Sequence, residues 1–112
     1  MGLVRSMVTR GEIWLINLDP TKGSEIKKTR PCVVVSPQEM NDYLRTVIIA
    51  PMTTKGSPAA FRIPITYERK QGLILLDQIR TIDKARLVKR MGTTNPKTLQ
   101  ASLSVLQETF AI

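Results

Sequence analysis

Short apolar runs alternate with polar turns along most of the chain, and a helical period emerges only near its end. Residues 12–18, Glu12-Ile13-Trp14-Leu15-Ile16-Asn17-Leu18, are rich in β-formers, follow Gly11 and stop at Asp19-Pro20, which predicts a first strand and a turn. A polar, mixed-charge loop from Thr21 to Thr29 leads into Arg30-Pro31, where the proline imposes extended backbone on Arg30 ahead of the strand Cys32-Val33-Val34-Val35. Ser36-Pro37-Gln38-Glu39 combines an N-cap serine, a proline at the first helical position and a glutamate three residues after the cap, so a brief helical turn is expected there. A polar connection over 41–45 follows. Thr46-Val47-Ile48-Ile49-Ala50 is the third strand, running into Pro51-Met52-Thr53-Thr54, where the proline predicts a strand end or edge.

Lys55-Gly56-Ser57-Pro58-Ala59-Ala60 has loop composition. Phe61, Ile63 and Ile65 then alternate with Arg62, Pro64 and Thr66, a half-buried strand whose Pro64 marks it as an edge. Residues 68–72 read as a turn and 73–76 as the start of a fifth strand that runs on through Asp77-Gln78 into Ile79-Arg80-Thr81-Ile82. A carboxylate and an amide in so apolar a run must be hydrogen-bonded or face a cleft. After a turn at 83–86, Leu87–Met91 is a further short strand ending at Gly92. Asn95-Pro96 caps a helix whose Leu99, Leu103, Leu106 and Phe110 fall on one face. Many short strands, no βαβ rhythm and one terminal helix predict a small, strongly bent antiparallel sheet or barrel.

Length and composition narrow the chemistry. A chain of 112 residues supports one core, here residues 8–112, with residues 1–7 as a flexible leader. Met1-Gly2-Leu3-Val4-Arg5-Ser6 fits the bare myristoylation pattern, but Met7 offers an alternative start and a frayed leader is the better reading. No apolar run approaches the ~20 residues of a membrane span, which points to the cytoplasm. The single cysteine, Cys32, sits in a valine run and reads as a small buried hydrophobe. The absence of histidine excludes Ser-His-Asp and Cys-His nucleophiles and histidine-bearing zinc sites, leaving carboxylates, hydroxyls, Lys, Tyr and Arg for acid–base work. Seventeen Lys+Arg against nine Asp+Glu give +8, a balance suited to a polyanion.

Polar groups at strand mouths are the candidates for a site: Glu25 and Arg30 around the second strand's start, and Thr53 with Thr54 at the third strand's end. Gly11-Glu12-Ile13-Trp14, Asp19-Pro20-Thr21-Lys22-Gly23-Ser24-Glu25, Arg30-Pro31-Cys32-Val33-Val34-Val35-Ser36-Pro37, Ala50-Pro51-Met52-Thr53-Thr54 and Asp77-Gln78-Ile79-Arg80-Thr81-Ile82-Asp83 together resemble the successive motifs of the MazF/PemK toxin endoribonucleases, over nearly the whole chain after Met7. The resemblance implies an SH3-like barrel with a C-terminal helix, a homodimer, cleavage of single-stranded RNA without metal or other cofactor, and a MazE-like antitoxin with an acidic segment. It places Glu25, Arg30 and Thr53 at active-site positions and Asp77 at an acidic position near RNA. Some members carry a basic residue two places before that acid. Here the position is Leu75, and its role does not transfer.

The residue types suit that chemistry. RNA cleaved by its own 2′-hydroxyl needs a base, for which Glu25 stands, and a positive charge on the phosphate, for which Arg30 stands with Thr53 as a hydrogen-bond donor. The general acid stays open between water and a lysine, since arginine yields a proton reluctantly. The absence of a D-x-D carboxylate cluster argues against a two-metal nuclease. Lys22, Lys27, Lys28, Thr54, Lys55, Arg62, Asp77, Gln78, Arg80 and Arg86 are the RNA-binding candidates, with Trp14 or Tyr43 as stacking surfaces and Trp14 better placed in the core. Two rivals remain: a CcdB-like toxin that poisons gyrase without being an enzyme, and a nucleic-acid-binding module without catalysis.

Overall fold

A computed structural model describes residues 7–18 and 29–112. The elements are β1 (Glu12–Asn17), β2 (Thr29–Val34), α1 (Gln38–Tyr43), β3 (Thr46–Thr53), β4 (Arg62–Tyr67), β5 (Lys70–Leu75), β6 (Arg80–Asp83), β7 (Leu87–Thr93) and α2 (Pro96–Thr109). The strands form one curled antiparallel sheet in the order β4-β5-β3-β2-β1-β7, with β6 also paired to β3. Of the segment expected as a leader, residues 1–6 lie outside the described residues and Met7 is exposed, while Val8, where the domain was expected to begin, is buried. The Asp19-Pro20 turn lies outside them too.

β2 and β3 are the centre of the sheet and are buried on both faces, as their valine- and isoleucine-rich composition requires. Val33, Val35, Ala50 and Met52 belong to one core cluster, and Cys32, Val34, Val47 and Ile49 to the other. Each fully buried aliphatic side chain of this kind contributes about 1.5–3 kcal/mol relative to its exposed state. Leu103, Val105 and Leu106 of α2 lie against the first cluster. Trp14 is half-buried against the second, and its indole N–H donates to Glu12 Oε1 at 3.0 Å.

Several boundaries differ from the sequence expectation. The fifth strand does not run through Asp77-Gln78: a 3-10 turn at Leu76–Gln78 ends β5 and lets β6 begin. The reason lies in β3, which pairs with β6 along Thr46–Ile49 and with β5 at Met52 and Thr53, so the returning chain must step from one half of it to the other. Pro51 is inside β3, not at its end, and falls where that neighbour changes, a point at which a missing N–H costs least. Pro64 lies on an edge strand, since among the described residues β5 is the one strand paired with β4.

The β4–β5 turn is tighter than residues 68–72. Tyr67 pairs with Lys70, leaving Glu68 and Arg69 as a two-residue hairpin loop, both at positive φ (51° and 66°) without a glycine. Ser36 does not cap α1. Its hydroxyl accepts from Ile48 N at 3.0 Å and lies 2.5 Å from Asn41 Oδ1, and the helix extends through Tyr43. Asn95 does cap α2, accepting from Thr98 N at 2.8 Å, with Pro96 opening the helix. Phe110, expected on the apolar face of α2, follows its last turn and is exposed.

Candidate active site

The site is built where β2 begins and β3 ends. Arg30, extended ahead of Pro31, stands opposite Ile16 of β1 and is half-buried. Its Nη1 donates to the Met52 carbonyl at 3.4 Å, which ties the guanidinium to the end of β3. Thr53 closes β3 opposite Leu73 of β5, and its Oγ1 accepts from Lys55 N at 3.1 Å, a hydroxyl turn that leads the chain out of the strand. Arg30, Thr53, Thr54 and Lys55 line one cavity of about 480 Å³, a volume in the range of small-ligand sites.

The floor of that cavity is apolar, from Leu15, Pro31, Met52 and Met91, and its far wall is the β4–β5 hairpin, with Tyr67, Glu68, Lys70, Gln71 and Gly72. Cations from three elements thus face one space over an apolar bed, which suits a phosphate joined to a planar base. The Tyr67 hydroxyl is buried with no hydrogen-bond partner among the described residues. Burial first, and then the Glu68 carboxylate, push its pKa up, so the phenol stays a neutral donor. Gly72 passes so close to β3 that a Cβ there would stand 2.7 Å from the Thr53 carbonyl oxygen.

Of the sequence candidates, the structure thus brings Arg30, Thr53, Thr54 and Lys55 together. Glu25, Lys22, Lys27 and Lys28 lie outside the described residues. Asp77 is engaged by Arg62, at 3.1 Å from Nε to Oδ1 and 2.9 Å from Nη2 to Oδ2, with Gln78 exposed beside it. Arg80 is on β6 opposite Ile49, outside the cavity lining. Arg86 donates to the Asn17 carbonyl at 3.2 Å, at the end of β1. Tyr43 is exposed on α1, away from the cavity lining. Cys32 is fully buried and its pKa is pushed up to about 12 by that burial, against a smaller opposing effect of Arg30 and Arg80, so it is an inert thiol.

Sequence reading missed the hairpin wall and the contributions of Leu15 and Met91. One local signal was there: Gly72 lies among strand residues, and a glycine inside a strand marks close approach of another backbone. Nothing local showed which backbone.

Comparison with known proteins finds similar sequences and similar folds. Residues 9–110 match a family described as PemK-like, MazF-like toxin of type II toxin–antitoxin systems. The chain is 41% identical to the endoribonuclease PemK of Escherichia coli over 93 residues, covering 78% of this chain and 70% of the relative. The fold is similar to that of MazF from Deinococcus radiodurans, with a TM-score of 0.76 at 21% identity over 92% of this chain and 96% of that one. It is also similar to a mycobacterial endoribonuclease solved in complex with its cognate antitoxin, with a TM-score of 0.74 at 21% identity over 88% and 90% of the two chains.

Proposed function

Because this chain belongs to the PemK-like, MazF-like toxins of type II toxin–antitoxin systems and is an endoribonuclease of that kind, we propose that it cleaves single-stranded RNA without metal, at the cavity between β2, β3 and the β4–β5 hairpin. The observation that carries this reading is that Arg30, Thr53, Thr54 and Lys55, from two strand ends distant in sequence, line one cavity. Neither a gyrase poison nor a passive binding module needs that convergence.

In the proposed step the 2′-oxygen attacks phosphorus while Glu25 takes its proton, the bond from phosphorus to the 2′-oxygen forms, and the bond to the leaving 5′-oxygen breaks. A 2′,3′-cyclic phosphate and a 5′-hydroxyl end result. The proton delivered to the 5′-oxygen comes from water or a lysine, and Lys55 and Lys70 both line the cavity. Arg30 stabilises the charge that builds on the equatorial phosphate oxygens, and Thr53 donates to one of them. Lys22, Lys27 and Lys28 add long-range attraction for the strand. By similarity to relatives solved with antitoxins, a cognate MazE-like antitoxin with an acidic segment neutralises the toxin. The active form is a cytoplasmic homodimer that inhibits translation by cutting mRNA.

The test is incubation with long single-stranded RNA in EDTA, followed by mapping of the ends. Cuts at a recurring short motif are expected, and a 2′-deoxy nucleotide at the scissile position should abolish them while leaving binding. Arg30→Ala should lower the rate by at least ~10²-fold. Intact RNA across many sequences, or cleavage that survives the 2′-deoxy replacement, defeats the mechanism.

A further inference from the structure

Arg62 and Asp77 form a two-point ion pair that stability does not explain. Both side chains are about one-third exposed, at 29% and 33%, and exposed pairs of this kind contribute little to folding. The pair also sets a carboxylate on a basic protein whose proposed ligand is a polyanion, where it repels that ligand unless it serves another purpose.

Its geometry supplies the purpose. Arg62 opens β4 opposite Leu75, the last residue of β5, and Asp77 follows in the 3-10 turn. The carboxylate takes Nε and one N–H of Nη2, and the Phe61 ring lies 5.9 Å from Cζ on another side. A guanidinium has five N–H donors in a rigid plane, so three remain. Nη1 bonds to no described residue and lies 4.0 Å from where a Cβ on Gly56 would stand, one residue past Lys55. The unused end of the fork therefore lies beside the segment that carries the chain out of the catalytic strand. Asp77 stays ionised for the task, since the hydrogen bond from Arg62 foremost holds its carboxyl below the usual range.

We propose that Arg62 is a phosphate-binding residue flanking the cavity and that Asp77 is its positioning residue, acting on RNA through the orientation of the guanidinium and not by contact. The proposal rests on the RNA-cleaving reading above and assigns one further backbone phosphate, beyond the scissile one, to this side of the site.

The test turns on a sign. Affinity is measured by fluorescence anisotropy for a single-stranded RNA made uncleavable by a 2′-deoxy scissile nucleotide, over a series of salt concentrations. Removing a negative charge from a polyanion-binding face tightens binding if charge alone matters. Asp77→Ala should instead weaken it, by about three- to tenfold. In the Arg62→Ala background the same change should restore the electrostatic sign and tighten binding. Arg62→Ala alone should lower the salt slope by about 0.7, the value for one contact on a single strand. Arg62→Lys should not restore affinity, because an ammonium has no rigid fork that the carboxylate can hold at two points while the remaining donors are aimed at a phosphate. Tighter or unchanged binding by Asp77→Ala in the native background overturns the proposal, as does equal weakening in both backgrounds, which would mark a purely structural role. Failure of the RNA reading itself is distinct: the unmodified protein would then neither bind this RNA nor cut its ribose form.

Discussion

Adding one methyl group at Gly72 should reach the proposed catalytic centre through the backbone alone. The Cβ of Gly72→Ala would stand 2.7 Å from the Thr53 carbonyl oxygen and 3.6 Å from its carbon. Ordinary carbon–oxygen contacts lie near 3.3 Å or beyond, so the two strands must part by about 0.6 Å. Neither atom belongs to a flexible side chain, and the strands are held in register by Thr53 opposite Leu73. Thr53 must therefore move, and the turn that its hydroxyl makes with Lys55 N moves with it. Overpacking of this sort costs about 1–3 kcal/mol in stability. A displacement near 1 Å at a reacting centre can cost ~10² in rate, so about 0.6 Å should lower the single-turnover rate roughly tenfold.

The assay is single-turnover cleavage of a labelled RNA together with thermal melting. Gly72→Ala should lose rate at saturating RNA with KM little changed. In a Thr53→Ala background it should lose almost nothing more, because the residue through which it acts is already gone. A rate within twofold of the native protein, or a loss that simply adds to that of Thr53→Ala, would refute the argument. If Thr53→Ala alone left the rate intact, the site assignment itself would fall.

Thr53→Val keeps shape and removes the hydroxyl, so cleavage should fall by about tenfold or more while the melting temperature stays within a few degrees; an unchanged rate would exclude Thr53 from the chemistry. Cys32, protonated up to about 12 and fully buried, should react with a thiol reagent at pH 8 at least ~10² more slowly in the native protein than in denaturant, and equal rates would contradict its burial. Its raised folded-state pKa means that the unfolded chain releases the proton first. Stability from this group is therefore present below about 9 and lost as pH climbs toward 12, which denaturant midpoints would report. Asn95→Ala removes the cap on α2 and should cost about 1 kcal/mol, readable as a loss of roughly 4 °C in melting temperature with cleavage rate unchanged.

The contrast between Asn95 and Ser36 shows what local sequence can carry. Both precede a proline and both read as caps. Asn95 accepts from Thr98 three residues on, an interaction available inside an isolated segment. Ser36 has the same option, but in the folded chain its hydroxyl accepts from the Ile48 amide of β3 and donates to Asn41 Oδ1 within α1, and the cap is lost to these partners. Arg30 and Thr53 were legible as a pair because each sits in a short motif at a strand mouth. The wall facing them was not, because Tyr67, Gln71 and Gly72 carry no motif and join the cavity only through the pairing of β5 with β3. Asp77 was legible as a polar residue needing a partner, while its partner, Arg62, is fifteen positions away at the start of β4.

By itself the sequence determined the β-rich class, the central apolar strands, the helix start at Asn95-Pro96, the edge character of Pro64 and the exclusion of histidine chemistry. Each follows from residue types or from spacings of a few positions, where backbone preference and periodicity act. Only the tertiary structure decided where β5 stops, which strand each half of β3 meets, how closely Gly72 approaches Thr53 and which way the Arg62 fork is held. Those outcomes depend on register between segments far apart in sequence, set by the sum of many weak packing and hydrogen-bond terms and by no single residue.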